Sequence, residues 1–197
     1  MAQAVAFTAP TRRALVQATL AMAAVVLASN ILVQFPINDW LTWGAITYPF
    51  AFLVSELANR AHGPGHARRI AWVGFAVAVA ASLLLAPLRI AVASGAAFLC
   101  SQLLDIQVFD RLRRLRQWWI APTCSTVFGS LVDTFVFFSV AFWHSSDPFM
   151  AEHWVEIATV DYGVKLAVSL LLFVPLYGVL LNAILRVLAG RDNTAQA

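Results

Sequence analysis

Six apolar runs divide this 197-residue chain, at about residues 14–35, 41–58, 70–88, 90–109, 118–142 and 162–185. Each is long enough, or nearly so, to cross a hydrocarbon core of about 30 Å, which takes about 20 helical residues. No other feature restricts the fold as much. In lipid every backbone polar group must be satisfied within the protein, so such runs become helices. Composition removes the alternatives. Hydrophobic residues make up 61% and charged residues 12%, against about 45–50% and about 25% in soluble domains. Six spans use nearly all of that apolar material, which excludes a separate soluble domain, a disordered chain and a disulfide scaffold. The reading is an all-α integral membrane protein: one six-helix domain over 14–187, with short tails at 1–13 and 188–197.

Two runs are weaker than the rest. The second is interrupted by Pro49, and the fourth follows Pro87-Leu88-Arg89 with hardly any loop. The first, behind Arg12 and Arg13, imitates a signal peptide but is longer than a signal core and leads into five further spans. It is read as an uncleaved helix.

The arginines set the orientation. With the N-terminus inside, cytoplasmic segments hold Arg12 and Arg13, then Arg60, Arg68 and Arg69, then Arg111, Arg113, Arg114 and Arg116, then Arg186 and Arg191. Outer segments hold Asp39, then Arg89, then a loop with Asp147, Glu152, Glu156 and Asp161. Both termini are therefore expected in the cytoplasm. The same clustering between apolar runs turns the net charge of +3 away from nucleic acid. The 111–116 stretch fits a topology anchor better than a lipid-headgroup site. His62, His66, His144 and His153 fall in loops and read as solvated rather than metal-binding. Cys100 and Cys124 lie inside apolar runs and read as buried free thiols.

Polar residues inside the spans carry the functional information. They are Asn30, Glu56, Ser101, Gln102, Asp105, Thr126, Ser130, Asp133 and Lys165. An ionisable group at the bilayer centre costs about 2.5–3.5 kcal/mol on insertion scales, so such groups face the bundle interior or a wet cavity. Phe98, Ser101, Gln102, Asp105 and Phe109 share one helical face, and Thr126, Ser130, Asp133 and Phe137 share another. Plainer roles compete. Glu56 has Arg60 at i+4 and could form an ion pair; Asp161 and Lys165 could neutralise each other at the outer surface. Asn30, Ser101 and Thr126 could serve only as interhelical hydrogen bonds. Asp133, with no basic residue within a turn of it in sequence, is the hardest to explain structurally.

An internal echo links the two halves. Ser29-Asn30-Ile31-Leu32 with Gln34-Phe35 matches Ser101-Gln102-Leu103-Leu104 with Gln107-Val108-Phe109. Trp40, Trp43, Pro49 and Glu56 then parallel Trp118, Trp119, Pro122 and Asp133. Two inverted three-helix repeats are one reading, a plan found in many secondary transporters; chance matching in an apolar alphabet is the other. No histidine lies deep in a span, and no phosphate-binding glycine loop of the GxxxxGK[ST] type occurs. Transport is favoured over catalysis.

Several stretches resemble the queuosine-precursor transporters of the vitamin uptake transporter family. They include Ser29-Asn30, Thr42-Trp43-Gly44, Ala67-Arg68-Arg69, Gln102-Leu103-Leu104-Asp105, Arg111-Leu112-Arg113, Trp118-Trp119, Ser125-Thr126-Val127-Phe128-Gly129 and Asp133-Thr134. The outer Phe149–Trp154 segment and Asp161-Tyr162 to Lys165 continue the similarity, which covers about residues 20–185. It implies a bacterial inner-membrane importer of 7-cyano-7-deazaguanine, with 7-aminomethyl-7-deazaguanine as a second substrate, for tRNA queuosine salvage. Glu56 stands where the family leads one to expect Asp, and the connection around Pro87 is shorter than expected.

A 7-deazaguanine presents N1–H and an exocyclic amine side by side, and a carboxylate can accept both. Its O6 accepts from an amide, and its ring stacks on an aromatic such as Phe98, Phe52 or Trp43. Asp133 or Asp105 is the candidate for the donor edge, with Gln102 and Asn30 as amide partners. The candidate substrate-binding set is Asn30, Glu56, Ser101, Gln102, Asp105, Thr126, Asp133 and Lys165, with no metal or cofactor. Proton-coupled import and facilitated diffusion both fit. The alternative is a substrate-binding membrane subunit of an energy-coupled uptake system, for which Ala14, Ala18, Ala24 and Ala28 would offer a small-residue docking face.

Overall fold

The computed structural model describes residues 11–38 and 41–183. Asp39, Trp40, Arg186, Arg191, the end of the sixth run and the terminal stretches 1–10 and 184–197 lie outside the described residues.

Helix α1 (Arg12–Leu32) begins at Thr11, whose side chain accepts from the N–H of Ala14 and satisfies one unpaired first-turn donor. It buries only a stripe of Met22, Val26 and Ser29 and turns Val16, Leu20, Leu27 and Ile31 outward. An apolar surface of that kind is a liability in water and an asset in lipid. A two-stranded antiparallel ribbon follows, β1 (Pro36–Asn38) with β2 (Leu41–Thr42), closed by the Trp43 N–H donating to Phe35 O at 3.1 Å. The ribbon is a small departure from the all-α expectation. Pro36 causes it, since it cannot continue a helix and biases Phe35 toward extended backbone.

The second apolar run splits into α2 (Trp43–Thr47) and α3 (Pro49–His62). Pro49 has no N–H to donate one turn back, which breaks the ladder. Tyr48 between the pieces keeps helical angles (φ −58°, ψ −37°), so the two form one interrupted helix that runs four residues beyond the expected 58. Gly63 then turns the chain at φ 84°, in the left-handed region that favours glycine, and Pro64 opens α4 (Pro64–Leu85) with its pre-set φ. Only Ala86 and Pro87 separate α4 from α5 (Leu88–Leu112). After α6 (Ile120–Phe142), α7 (Pro148–Val168) passes through a π-helical turn at Ser169–Phe173 and continues to Ala183.

That last rod has 36 residues, about 54 Å at about 1.5 Å per residue. Most of the expected outer loop is therefore helix. Asp147 caps it by accepting from the Met150 N–H at 3.1 Å, and Pro148 fills the first position. Glu152 and Glu156 point outward while Ile157, Ala158 and Asp161 turn inward; one polar face made an amphipathic helix look like a loop. Five described helices are long and apolar enough to cross a membrane, counting Pro148–Ala183 as one.

The helices alternate in direction, because the C-terminal ends of α1, α4 and α6 meet the N-terminal ends of α2, α5 and α7 around one cavity. At the opposite end Arg60 donates to Arg113 O (2.6 Å) and Arg113 to Asn59 O (3.1 Å), joining α3 to the end of α5. Arg68 and Arg69 enter α4 there, so described arginines concentrate at this end. Arg89 is the exception, donating to the Val140, Trp143 and His144 carbonyls that α6 leaves unpaired.

Small residues let the helices approach closely. A Cβ on Gly74 of α4 would sit 2.8 Å from both Met22 Cγ and Phe98 Cζ. Around that contact Met22, Val26, Ala51, Ile70, Phe98 and Ile106 form one apolar cluster. A second joins Leu53, Phe109, Ala121, Phe173 and Tyr177 at the arginine-rich end. Of the alanines offered for docking, Ala18 packs on the first cluster while Ala24 and Ala28 are exposed. Both cysteines are free, as expected, but neither is buried: Cys100 is on the outer surface of the bundle and Cys124 is half-buried.

Candidate functional site

Between α1, α2, α5, α6 and α7 lies a cavity of about 550 Å³, inside the range of small-molecule sites. Its mouth is formed by Gln34, Pro36, Asn38, Ala86, Pro87 and Met150, its walls by Ile90, Phe137, Phe138 and Phe142. It ends on a charged group. Lys165 of α7 lies 3.0 Å from Asp133 Oδ2 of α6 and 2.7 Å from Asp161 Oδ2. Thr134 donates to Asp161 Oδ2 (3.1 Å), and Lys165 Nζ sits 5.6 Å from the Tyr48 ring centroid, within cation–π range. All three charged side chains are largely buried, a placement that only mutual pairing makes tenable.

This revises two readings. Asp133 lacks a basic neighbour in sequence, yet α7 supplies one in space. Asp161 and Lys165 do pair, but inside the bundle at the cavity floor rather than at its surface.

Asn30 also lines the cavity, and both ends of its amide are engaged: Nδ2 donates to Val26 O (2.9 Å) and Oδ1 accepts from Ser82 (2.7 Å). It ties α1 to α4, the interhelical role the sequence left open. Ser101 of α5 reaches Asp133 Oδ1 at 3.4 Å as well as Phe98 O at 3.1 Å, so it touches the floor from behind.

The remaining candidates form a second, buried layer between α3, α5 and α6, outside the cavity lining. Glu56 Oε1 accepts from Ser125 (2.6 Å) and Thr126 (3.1 Å). Among the described residues no ion pair joins Glu56 to Arg60, which donates to Arg113 O instead. Ser55 donates to Gln102 Oε1 at 2.6 Å, and Asn59 to Ile106 O at 3.0 Å. Among the described residues, Gln102 Nε2 and both carboxylate oxygens of Asp105 are buried without a hydrogen-bond partner. The Ser55 and Ser125 hydroxyls lie near Asp105, but each gives its proton elsewhere.

The eight predicted residues thus divide. Asn30, Asp133 and Lys165 line the cavity; Glu56, Gln102, Asp105 and Thr126 build the inner layer; Ser101 bridges the two. Sequence reasoning left out Ser29, Tyr48, Ser55, Asn59 and Ser125. Ser55 and Ser125 sit beside Glu56 and Thr126 in sequence, and a search of neighbours across each polar face would have found them.

The sequence model of one family, described as "Putative vitamin uptake transporter", matches residues 42–86 and 82–180. The chain belongs to this vitamin uptake transporter family. An Escherichia coli (strain K12) member named "Queuosine precursor transporter" is 44% identical over 200 aligned positions, covering 88% of this chain and 90% of the relative. A Haemophilus influenzae member named "Probable queuosine precursor transporter" is 43% identical, covering 89% of each. One of the same name from Bacillus subtilis (strain 168) is 31% identical over 66% of this chain and 67% of its own length. No solved structure gives a significant match. Membership of a transporter family, together with several helices of membrane-crossing length, makes the chain a multi-pass membrane protein that carries a small molecule.

Proposed function

We propose that this chain imports queuosine precursors, 7-cyano-7-deazaguanine and 7-aminomethyl-7-deazaguanine, across a bacterial inner membrane. One observation carries the reading beyond family membership: a cavity of about 550 Å³, open at one end, stops at a buried carboxylate–ammonium group between helices. Ionisable groups in that position mark substrate paths. The relatives' names supply the cargo class, queuosine precursors; the two bases are what the family resemblance implies.

In this reading α2 and α3 together cross the membrane once, giving six crossings in the single domain 14–187. The arginine-rich end is cytoplasmic, by the positive-inside rule, and so are the tails 1–13 and 188–197. The cavity then faces outward. The two halves act as inverted repeats, with interrupted α2–α3 opposite Pro122-bearing α6, and Glu56 and Asp133 in matching places. The cavity admits the base, and the inner layer of Glu56, Ser101, Gln102, Asp105 and Thr126 receives it as the cavity closes. The cycle is a carrier's, run by secondary transport or facilitated diffusion, and the chain is no enzyme.

The test is queuosine rescue. Cells lacking both precursor synthesis and native uptake should regain queuosine in tRNA when they express this chain and receive either precursor. Expression without rescue by either precursor contradicts the reading.

A further inference from the structure

Buried polar atoms without partners are rare in native proteins, and each one needs an explanation. In the two polar layers most candidate groups are already engaged: Asn30 by Ser82 and Val26, Asp133 and Asp161 by Lys165, Glu56 by Ser125 and Thr126. Ser29 Oγ, Asn59 Oδ1 and Ser130 Oγ are also buried without a partner among the described residues, but three such atoms lie together on one face of α5, namely Gln102 Nε2, Asp105 Oδ1 and Asp105 Oδ2. Both residues are fully buried at 0% exposure. At i, i+3 spacing their side chains are neighbours, with Cβ atoms about 5–6 Å apart.

These atoms form a donor beside two acceptors. We propose that Gln102 and Asp105 read the base edge of the substrate: Gln102 Nε2 donates to O6, and the Asp105 carboxylate accepts from N1–H and the 2-amino group. This rests on the import reading and identifies what within it recognises the base. It also separates recognition from the cavity floor, where Lys165 holds Asp133. Ser101 links the layers, since it touches Asp133 and immediately precedes Gln102. Beside Asp105, Gly129 leaves a bare patch of α6 against which the Phe52 ring lies; a Cβ there would sit 3.0 Å from Phe52 Cε1 and 3.4 Å from Asp105 Cβ. Phe52 supplies the flat apolar surface for a planar base. The site is occluded in this conformation, behind the cavity floor and outside the cavity lining.

The edge pattern makes a chemical prediction. A base lacking the 2-amino group removes one donor to a buried carboxylate, and binding should weaken about ten- to a hundredfold. Asp105→Asn turns one acceptor into a donor, so a 2-oxo base should replace the 2-amino base as the preferred ligand. The experiment measures binding of labelled 7-cyano-7-deazaguanine to the purified full chain, competed by 7-deazaguanine, 7-deazahypoxanthine and 7-deazaxanthine. The expected result is strong competition by 7-deazaguanine alone in the wild type, and by 7-deazaxanthine in Asp105→Asn, with that base as label. Equal competition by 7-deazahypoxanthine in the wild type overturns the proposal, and this arm stands even where the variant does not fold. A folded Asp105→Asn that keeps its 2-amino preference also overturns it, while leaving import intact. Failure of the wild type to bind any deazaguanine overturns the import reading and this proposal together.

Discussion

Lys165→Met should destabilise the protein strongly, for a reason that can be worked out from three side chains. Lys165 lies 3.0 Å from Asp133 and 2.7 Å from Asp161, with side-chain exposures of 8%, 5% and 12% in that order. At an effective dielectric of about 20 these distances correspond to gross attractions of about 5.5 and about 6 kcal/mol. Desolvation of three buried charges offsets much of that, so the attractions are not the loss to expect. Removing one member of a buried ionic group typically costs about 3–5 kcal/mol, because the other charges stay buried and uncompensated. Here two carboxylates would also repel each other. The control follows from the same argument: Lys165→Met/Asp133→Asn/Asp161→Asn carries no uncompensated charge and should recover most of the loss. Thermal unfolding of the purified variants in one detergent measures both. A single variant as stable as the wild type, or a triple variant no better than the single, would show that uncompensated charge is not what Lys165 relieves.

Three further outcomes follow from packing and charge. Gly74→Ala should cost about 1–3 kcal/mol by overpacking, since its Cβ meets Met22 Cγ and Phe98 Cζ at 2.8 Å; detergent-melt curves check it. Ser82→Ala removes the 2.7 Å donor to Asn30 Oδ1 and should cost about 1 kcal/mol, again read by melting, with Ser82→Thr losing less. A thiol-reactive probe that cannot cross membranes should label Ser145→Cys from outside intact cells and should not label Gly65→Cys; the reverse pattern contradicts the proposed orientation.

Much of the fold is legible in the chain because lipid imposes a simple rule. Residues 98, 101, 102, 105 and 109 share a buried face of α5 as their spacing demands, and the interruption at Pro49 falls where the missing N–H puts it. Periodicity failed where polarity and helicity coincide. Glu152 and Glu156 suggest a loop, but Asp147 and Pro148 start a helix that carries them on one face. Charges were misread for another reason. Local spacing made Asp133 look unpaired and left a Glu56–Arg60 pair open, whereas the partners of both carboxylates come from other helices. Pair spacing sees one helix at a time. The division of the candidates into a cavity floor and an inner layer depends on helix packing, which one-dimensional patterns do not encode.

Uptake by the purified chain alone in sealed liposomes measures whether it carries its substrate unaided. Labelled 7-cyano-7-deazaguanine should enter vesicles containing the protein faster than protein-free vesicles, and excess unlabelled compound should block entry. Folded, membrane-inserted protein that binds the base but moves none of it would contradict a self-sufficient importer and favour a subunit that needs an energising module.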